Sequence, residues 1–157
     1  MTRFEVINLL KKRLDNLQRQ NLIVLVLPVR FGGDERQIAQ ELGVEVISLV
    51  GLLVERFGKI WDRLVRAERE GDLKAVSDAL GRMLTERVQA ASNGVLIADT
   101  EVLWRFPDLP VITLLMPLSE ERLILLPIRG ERVGIRLHLL GGEIAYDISH
   151  CTVLEVS

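Results

Sequence analysis

The best prospect of chemistry lies in eight residues between an apolar run and an amphipathic stretch: Leu27, Pro28, Val29, Arg30, Phe31, Gly32, Gly33 and Asp34. A buried strand that enters a helix through a glycine-rich loop presents backbone N–H groups to phosphate. The pattern GxxxxGK[ST] adds a lysine for charge and a hydroxyl for Mg²⁺. Laid on that pattern, Gly32 matches the second glycine, but Leu27 stands at the first, Gly33 at the lysine and Asp34 at the hydroxyl. A carboxylate at a helix N-terminus already satisfies the exposed N–H groups and the dipole. About 4 Å from a phosphate, at an effective dielectric of about 20, it opposes binding by roughly 4 kcal/mol. The expectation is a phosphate loop in outline whose binding function is lost, with no cofactor held. Arg30 either offers a replacement charge or pairs with a carboxylate or solvent.

A nucleotide-hydrolysing site also needs an acid at the end of a buried strand, to orient Mg²⁺ and water. The segment VLIADTEVLW supplies Asp99 and Glu101 there. Acids are equally common at strand ends because the chain is emerging into solvent, and without the loop lysine that plainer reading is preferred. Asp99 remains the residue to test for metal, although no metal site is expected. His138, His150 and Cys151 exhaust the imidazoles and thiols. His138 falls on the polar side of an expected strand pair, and adjacent extended residues such as His150 and Cys151 point to opposite faces. No motif supports nucleophilic catalysis. Trp61 reads as core. Trp104 and Phe106 follow a strand end and either meet a partner or, by preference, pack beneath the loop.

The 157 residues suit one domain, 1–157, with 48% apolar residues but only 4% aromatic, so its core must be aliphatic. A net charge of −2 gives no global attraction to nucleic acid, which leaves DNA binding resting on a local patch alone. The single cysteine rules out an internal disulfide. No apolar run approaches the roughly 20 residues of a membrane span, and the charged N-terminus lacks a signal-peptide core. A cytoplasmic protein is expected.

Periodicity places the elements. Phe4, Ile7, Leu10, Leu14 and Leu17 mark a helix over 2–20. Residues 22–29, branched and continuously apolar, mark a strand buried on both faces. Asp34 with Gln37 forms a capping-box pattern for a helix that Gly43 ends. A strand over 44–49 leads into a helix over 50–69, whose stripe is Val50, Leu53, Val54, Phe57, Trp61, Leu64 and Val65. Gly71 and Asp72 break it, with Asp72 capping a second helix striped by Leu73, Val76, Leu80, Met83, Leu84, Val88 and Ala91. Residues 95–99 form a short buried strand and 122–128 a fourth; 110–118 is ambiguous and leans to helix. Gly141 and Gly142 suit a two-residue hairpin turn. That register sets Leu139 opposite Ile144, Leu137 opposite Tyr146 and Ile135 opposite Ile148 on one apolar face, with Arg136 opposite Asp147 and Leu140 opposite Glu143 on the other. Residues 152–156 add an edge strand. The sum is an α/β fold of P-loop-NTPase-like, Rossmannoid plan: a mostly parallel sheet flanked by helices, with a C-terminal antiparallel β-hairpin.

With these segments in place, the chain resembles the small accessory proteins of BREX bacteriophage-exclusion systems, of the BrxF or the BrxB type. Glu101, Leu103, Trp104, Leu118, Ser119 and Gly130 match the BrxF-type pattern of an acidic strand end, a leucine-rich helix, a buried strand and a closing glycine. Leu27, Gly33 and Asp34 depart from its phosphate loop, and Ala98 falls where its first acid lies unless Asp99 substitutes after a one-residue shift. LVRAEREGDLKAV and RLILLPIRGERVGIRLHLL also fit the BrxB type, which lacks the loop. The resemblance implies a non-catalytic scaffolding or interaction component acting beside a PglZ-type phosphatase-like protein, an AAA+ ATPase and a methyltransferase. The alternatives are a divergent ATP-binding subunit using Arg30 and Asp99, or a DNA-binding accessory protein.

Overall fold

The computed structural model describes residues 1–28, 35–61, 70–139 and 144–157. In chain order the elements are α1 (Arg3–Asp15), β1 (Leu22–Leu27), α2 (Glu35–Leu42), β2 (Glu45–Ser48), α3 (Leu49–Phe57), α4 (Glu70–Ala90), β3 (Gly94–Ala98), α5 (Val111–Leu118), β4 (Leu123–Val133), β5 (Arg136–Leu139), β6 (Ala145–Asp147) and β7 (Thr152–Glu155). Short 3-10 turns occupy Gly58–Ile60 and Thr100–Arg105.

Five strands pair in parallel in the order β2-β3-β4-β1-β7. The α/β expectation of a mostly parallel, helix-flanked sheet therefore holds. Every residue of β1, β3 and the first six of β4 is buried, which is why these strands are continuous apolar runs and not alternating ones. Their side chains still alternate by face. Ile23, Leu25, Leu27, Leu96 and Leu125 pack with Val6, Ile7 and Leu10 of α1 and Ile38, Ala39 and Leu42 of α2. Val24, Val26, Val95, Ile97 and Leu126 pack with Leu52 and Leu53 of α3, Leu80 and Leu84 of α4 and Leu115 of α5. Among the described residues no helix is long and apolar enough to cross a membrane.

Several boundaries differ from expectation. α1 opens with a capping box in which Thr2 and Glu5 exchange bonds of 3.2 and 2.8 Å, but it stops at Asp15. The buried Asn21 explains the stop: its amide accepts from the Gln18 N–H at 2.8 Å and donates to the Gln18 and Ser119 carbonyls at 2.9 and 2.8 Å. That turn competes with further helix. Phe4 and Leu17, placed on the buried stripe by spacing, are exposed, and Val6 takes their place. α3 ends at Phe57, not at 69, because Gly58 adopts φ +62 and leaves the helix. Val54 is exposed, while Leu49, Leu52 and Leu53 carry the burial. Gly71 and Asp72 are helical in the first described turn of α4, so Asp72 is not its cap, and Leu64 and Val65 of the expected stripe lie outside the described residues. One glycine costs a helix only about 1 kcal/mol, and the buried Val76, Leu80, Leu84 and Val88 outweigh it. The segment 110–118 is helical, as α5.

β4 runs on past Ile128. Up to Arg129 it pairs with β1, and from Gly130 it pairs antiparallel with β5, Gly130 facing Leu139 and Val133 facing Arg136. Gly134, at φ +61, turns the chain between them. β6 pairs with β5 in the expected register, Leu137 opposite Tyr146 and Arg136 opposite Asp147. Gly141, Gly142 and the Leu140–Glu143 pair lie outside the described residues. Ile135 departs from the expected apolar face: it is 60% exposed beside the Gly134 turn, while Ile148 is buried. β7 adds to β1 as an edge strand of the parallel sheet.

The Tyr146 hydroxyl is buried without a hydrogen-bond partner among the described residues, and burial pushes the phenol up to about 12. The folded state holds this proton more tightly than the unfolded chain, whose phenol titrates at 10.0. The associated stability is therefore complete below pH 10.0 and declines as pH rises toward 12. Tyr146 is the sole tyrosine, so tyrosinate absorbance reports it alone. The expected midpoint is near 12 for native protein and near 10 in denaturant; a native midpoint at 10 would contradict the burial.

Candidate functional site

Parallel sheets bind ligands beyond the carboxyl ends of their strands, where successive connections diverge to opposite faces. Here β1 leads to α2 on one face, and β3 leads to α5 on the other. Leu27, Ser48, Asp99 and Arg129 stand at or just beyond these strand ends.

Asp99 has φ 61 and ψ 37, and among the described residues no other non-glycine has positive φ. Asp tolerates the left-handed region because its short carboxyl group bonds locally. One carboxylate oxygen accepts from the Ser48 hydroxyl and, at 3.0 Å, from Arg36 of α2. Ser48 accepts in turn from the Gly51 N–H at 2.9 Å, capping α3. One acid thus ties together β3, α2 and the start of α3. Beside it the buried Thr100 hydroxyl donates to the Pro127 carbonyl, fixing the turn to β4.

Arg129 forms the second centre. Its Nη1 donates to Glu101 at 2.8 Å, and its Nη2 lies 3.7 Å from a carboxylate oxygen of the buried Glu35. Its Nε is buried without a hydrogen-bond partner among the described residues. Among the described residues three carboxylates, Glu35, Asp99 and Glu101, therefore meet two guanidiniums, Arg36 and Arg129, leaving one net negative charge. Next to them Thr100, Glu101, Trp104, Ile128, Arg129 and Leu139 line a cleft of about 210 Å³.

The structure thus brings Asp99 and Glu101 into one cluster and adds Glu35, Arg36, Ser48 and Arg129, which sequence reasoning did not select. Two local signals were available: Ser48 begins a helix as a capping residue, and Arg129 is the first cation after the LILLPI strand. Leu27 is a buried strand residue. Arg30, Gly32, Gly33 and Asp34 lie outside the described residues. Among the described residues no three His, Cys, Asp or Glu side chains are grouped to hold a metal ion. Burial, aided by the Asp147 charge, pushes the Cys151 thiol up, away from the thiolate that nucleophilic chemistry needs.

Trp104 and Phe106 part company. Phe106 is 1% exposed in the core, whereas Trp104 is 57% exposed. The Arg105 guanidinium lies over both indoles, 5.1 Å from the Trp104 ring centre and 5.2 Å from that of Trp61. Trp61 is half-buried at the margin of the core, not within it.

No family model, curated protein or solved structure matches the chain.

Proposed function

We propose that this chain is a non-catalytic interaction domain, a P-loop-like fold that has lost nucleotide binding and serves as a scaffold in a BREX phage-exclusion complex. One observation carries the non-catalytic reading: the acids at the strand ends are taken up by the chain's own cations. Asp99 is bonded to Arg36 and Ser48, while Glu101 and Glu35 share Arg129. A magnesium–nucleotide site needs carboxylates directed at metal and cations directed at phosphate. Among the described residues of the site, Arg36 and Arg129 each face carboxylate, and the surplus charge of these five groups is negative. Asp34, where such a loop carries its hydroxyl, opposes phosphate in the same sense.

The P-loop-like plan draws support from β1, a buried strand flanked on both sides by parallel partners and followed by α2, and from the acid ending β3. The phage-defence assignment rests on the resemblance of Glu101, Leu103, Trp104, Leu118, Ser119 and Gly130 to the BrxF-type pattern. It implies a PglZ-type protein, an AAA+ ATPase and a methyltransferase as partners.

The test is titration of the protein with a fluorescent ATP analogue and Mg²⁺, alongside phosphate release. The expected result is no saturable binding and no turnover. Turnover abolished by Asp99→Asn would instead make the chain a divergent ATP-binding subunit.

A further inference from the structure

A second cavity, of about 360 Å³, opens at the amino ends of β1 and β7, the opposite end of the sheet from the acid–arginine cluster. Gln18, Arg19, Gln20, His150 and Thr152 form its polar wall, and the buried Leu22 with the half-buried Met116 forms an apolar one. Two fixed turns carry the polar wall. In the first, Asn21 accepts from the Gln18 N–H at 2.8 Å and donates to the Gln18 carbonyl at 2.9 Å, while Arg13 donates to the Gln20 carbonyl at 3.3 Å. In the second, the Ser149 N–H donates to Asp147 at 2.9 Å and the Cys151 N–H to the Ile148 carbonyl at 3.1 Å. Among the described residues no carboxylate lines the cavity, and the Arg19 side chain has no partner. Pro28, Trp61 and Leu139, after which the described residues break off, all stand at the other end: Pro28 follows β1, Arg105 holds Trp61 beyond β3, and Leu139 faces Gly130 past the parallel part of β4.

We propose that this cavity binds a small carboxylic acid, its carboxylate on Arg19 and its short apolar part against Leu22 and Met116. A planar guanidinium pairs bidentately with carboxylate. Arg19 is the one Arg or Lys in the lining among the described residues, which matches a single negative charge better than the nearly double charge of a phosphate. His150 stands within electrostatic reach of Asp147, so it serves with Gln18, Gln20 and Thr152 as a hydrogen-bonding group and Arg19 supplies the charge. The volume lies near the small end of the roughly 300–1,000 Å³ of small-molecule sites, which limits the apolar part to a few carbons. Both turns are already held by their own bonds, so little backbone order is lost on binding.

This site uses no residue of the acid–arginine cluster, so it stands or falls apart from the scaffold reading. The probe is hexanoate, titrated into protein carrying ¹³C-methyl methionine and followed by NMR. Met1, Met83 and Met116 are the methionines, and Met116 lines the cavity. The expected result is a saturable shift of the Met116 methyl signal, with those of Met1 and Met83 unmoved. Hexanamide, of the same shape without the charge, is expected to bind about tenfold more weakly or worse. Arg19→Gln is expected to weaken hexanoate by about tenfold or more, and Arg19→Lys, which keeps the charge but not the planar fork, by less. Arg19 is exposed and bonds to nothing in the fold among the described residues, so both variants are expected to fold, which their unchanged Met83 signal checks. A Met116 signal that does not saturate overturns the proposal. So does equal binding of hexanamide, tighter binding of inorganic phosphate, or an Arg19→Gln variant that binds hexanoate as well as wild type.

Discussion

Phe106→Ala is expected to destabilise the fold by about 3–5 kcal/mol, the usual cost of deleting a buried ring and leaving a cavity. Trp104→Ala, two residues earlier, is expected to change stability by less than about 0.5 kcal/mol. Both aromatics follow the same strand end, but their surroundings differ. Phe106 is among the largest fully buried side chains and shares its core with Leu103, Leu109 and Val111. Its backbone is fixed as well: its N–H donates to the Leu103 carbonyl at 2.9 Å, and its own carbonyl accepts from Leu109 at 3.1 Å. The site therefore cannot easily collapse around a missing ring. Domains are stable by only about 5–15 kcal/mol, so the loss is a large share of the whole. Urea denaturation of the two variants checks this. Equal midpoints would mean that Phe106 is not buried as described.

Gly130→Ala is expected to destabilise by about 3 kcal/mol, the upper part of the range for overpacking. A Cβ at this position would lie 2.1 Å from the His138 carbonyl oxygen and 3.1 Å from its carbon, both backbone atoms of the paired strand. No side-chain rotation relieves that clash, so β4 and β5 must separate where their pairing begins. Gly134→Ala is the control. Space there is open, and only the positive φ is unfavourable, a cost of about 1 kcal/mol. Hydrogen exchange at the β5 and β6 amides, measured with thermal stability, separates the cases. Gly130→Ala with wild-type protection would refute the close approach. Gly130 is also one of the residues on which the BREX resemblance rests, and its place in the fold explains a glycine there without any partner.

What could be read from the chain was local. β1, β3 and the buried part of β4 announce themselves as branched apolar runs because strands covered on both faces have no polar side to show. The α4 stripe from Leu73 to Val88 was legible because one helical face must meet the sheet, and the β5–β6 register followed from alternation across the pair. Helix ends were harder. The turn at Gln18 and Asn21 that stops α1 is anchored by the bond from Asn21 to Ser119, 98 residues away, which no local pattern announces.

The candidate site divides the same way. Asp99 and Glu101 were visible as acids at a strand end, which is a property of one segment. That Arg36 and Ser48 converge on Asp99, and that Arg129 joins Glu35 to Glu101, depended on α2, β2, β3 and β4 arriving side by side. Side-chain period and backbone preference act over a few residues, so the sequence alone determined which segments become strands and helices and where their acids emerge. Charge compensation and burial act through space, so only the tertiary structure decided that those acids meet arginines, that Phe106 is core, and that Trp104 faces solvent.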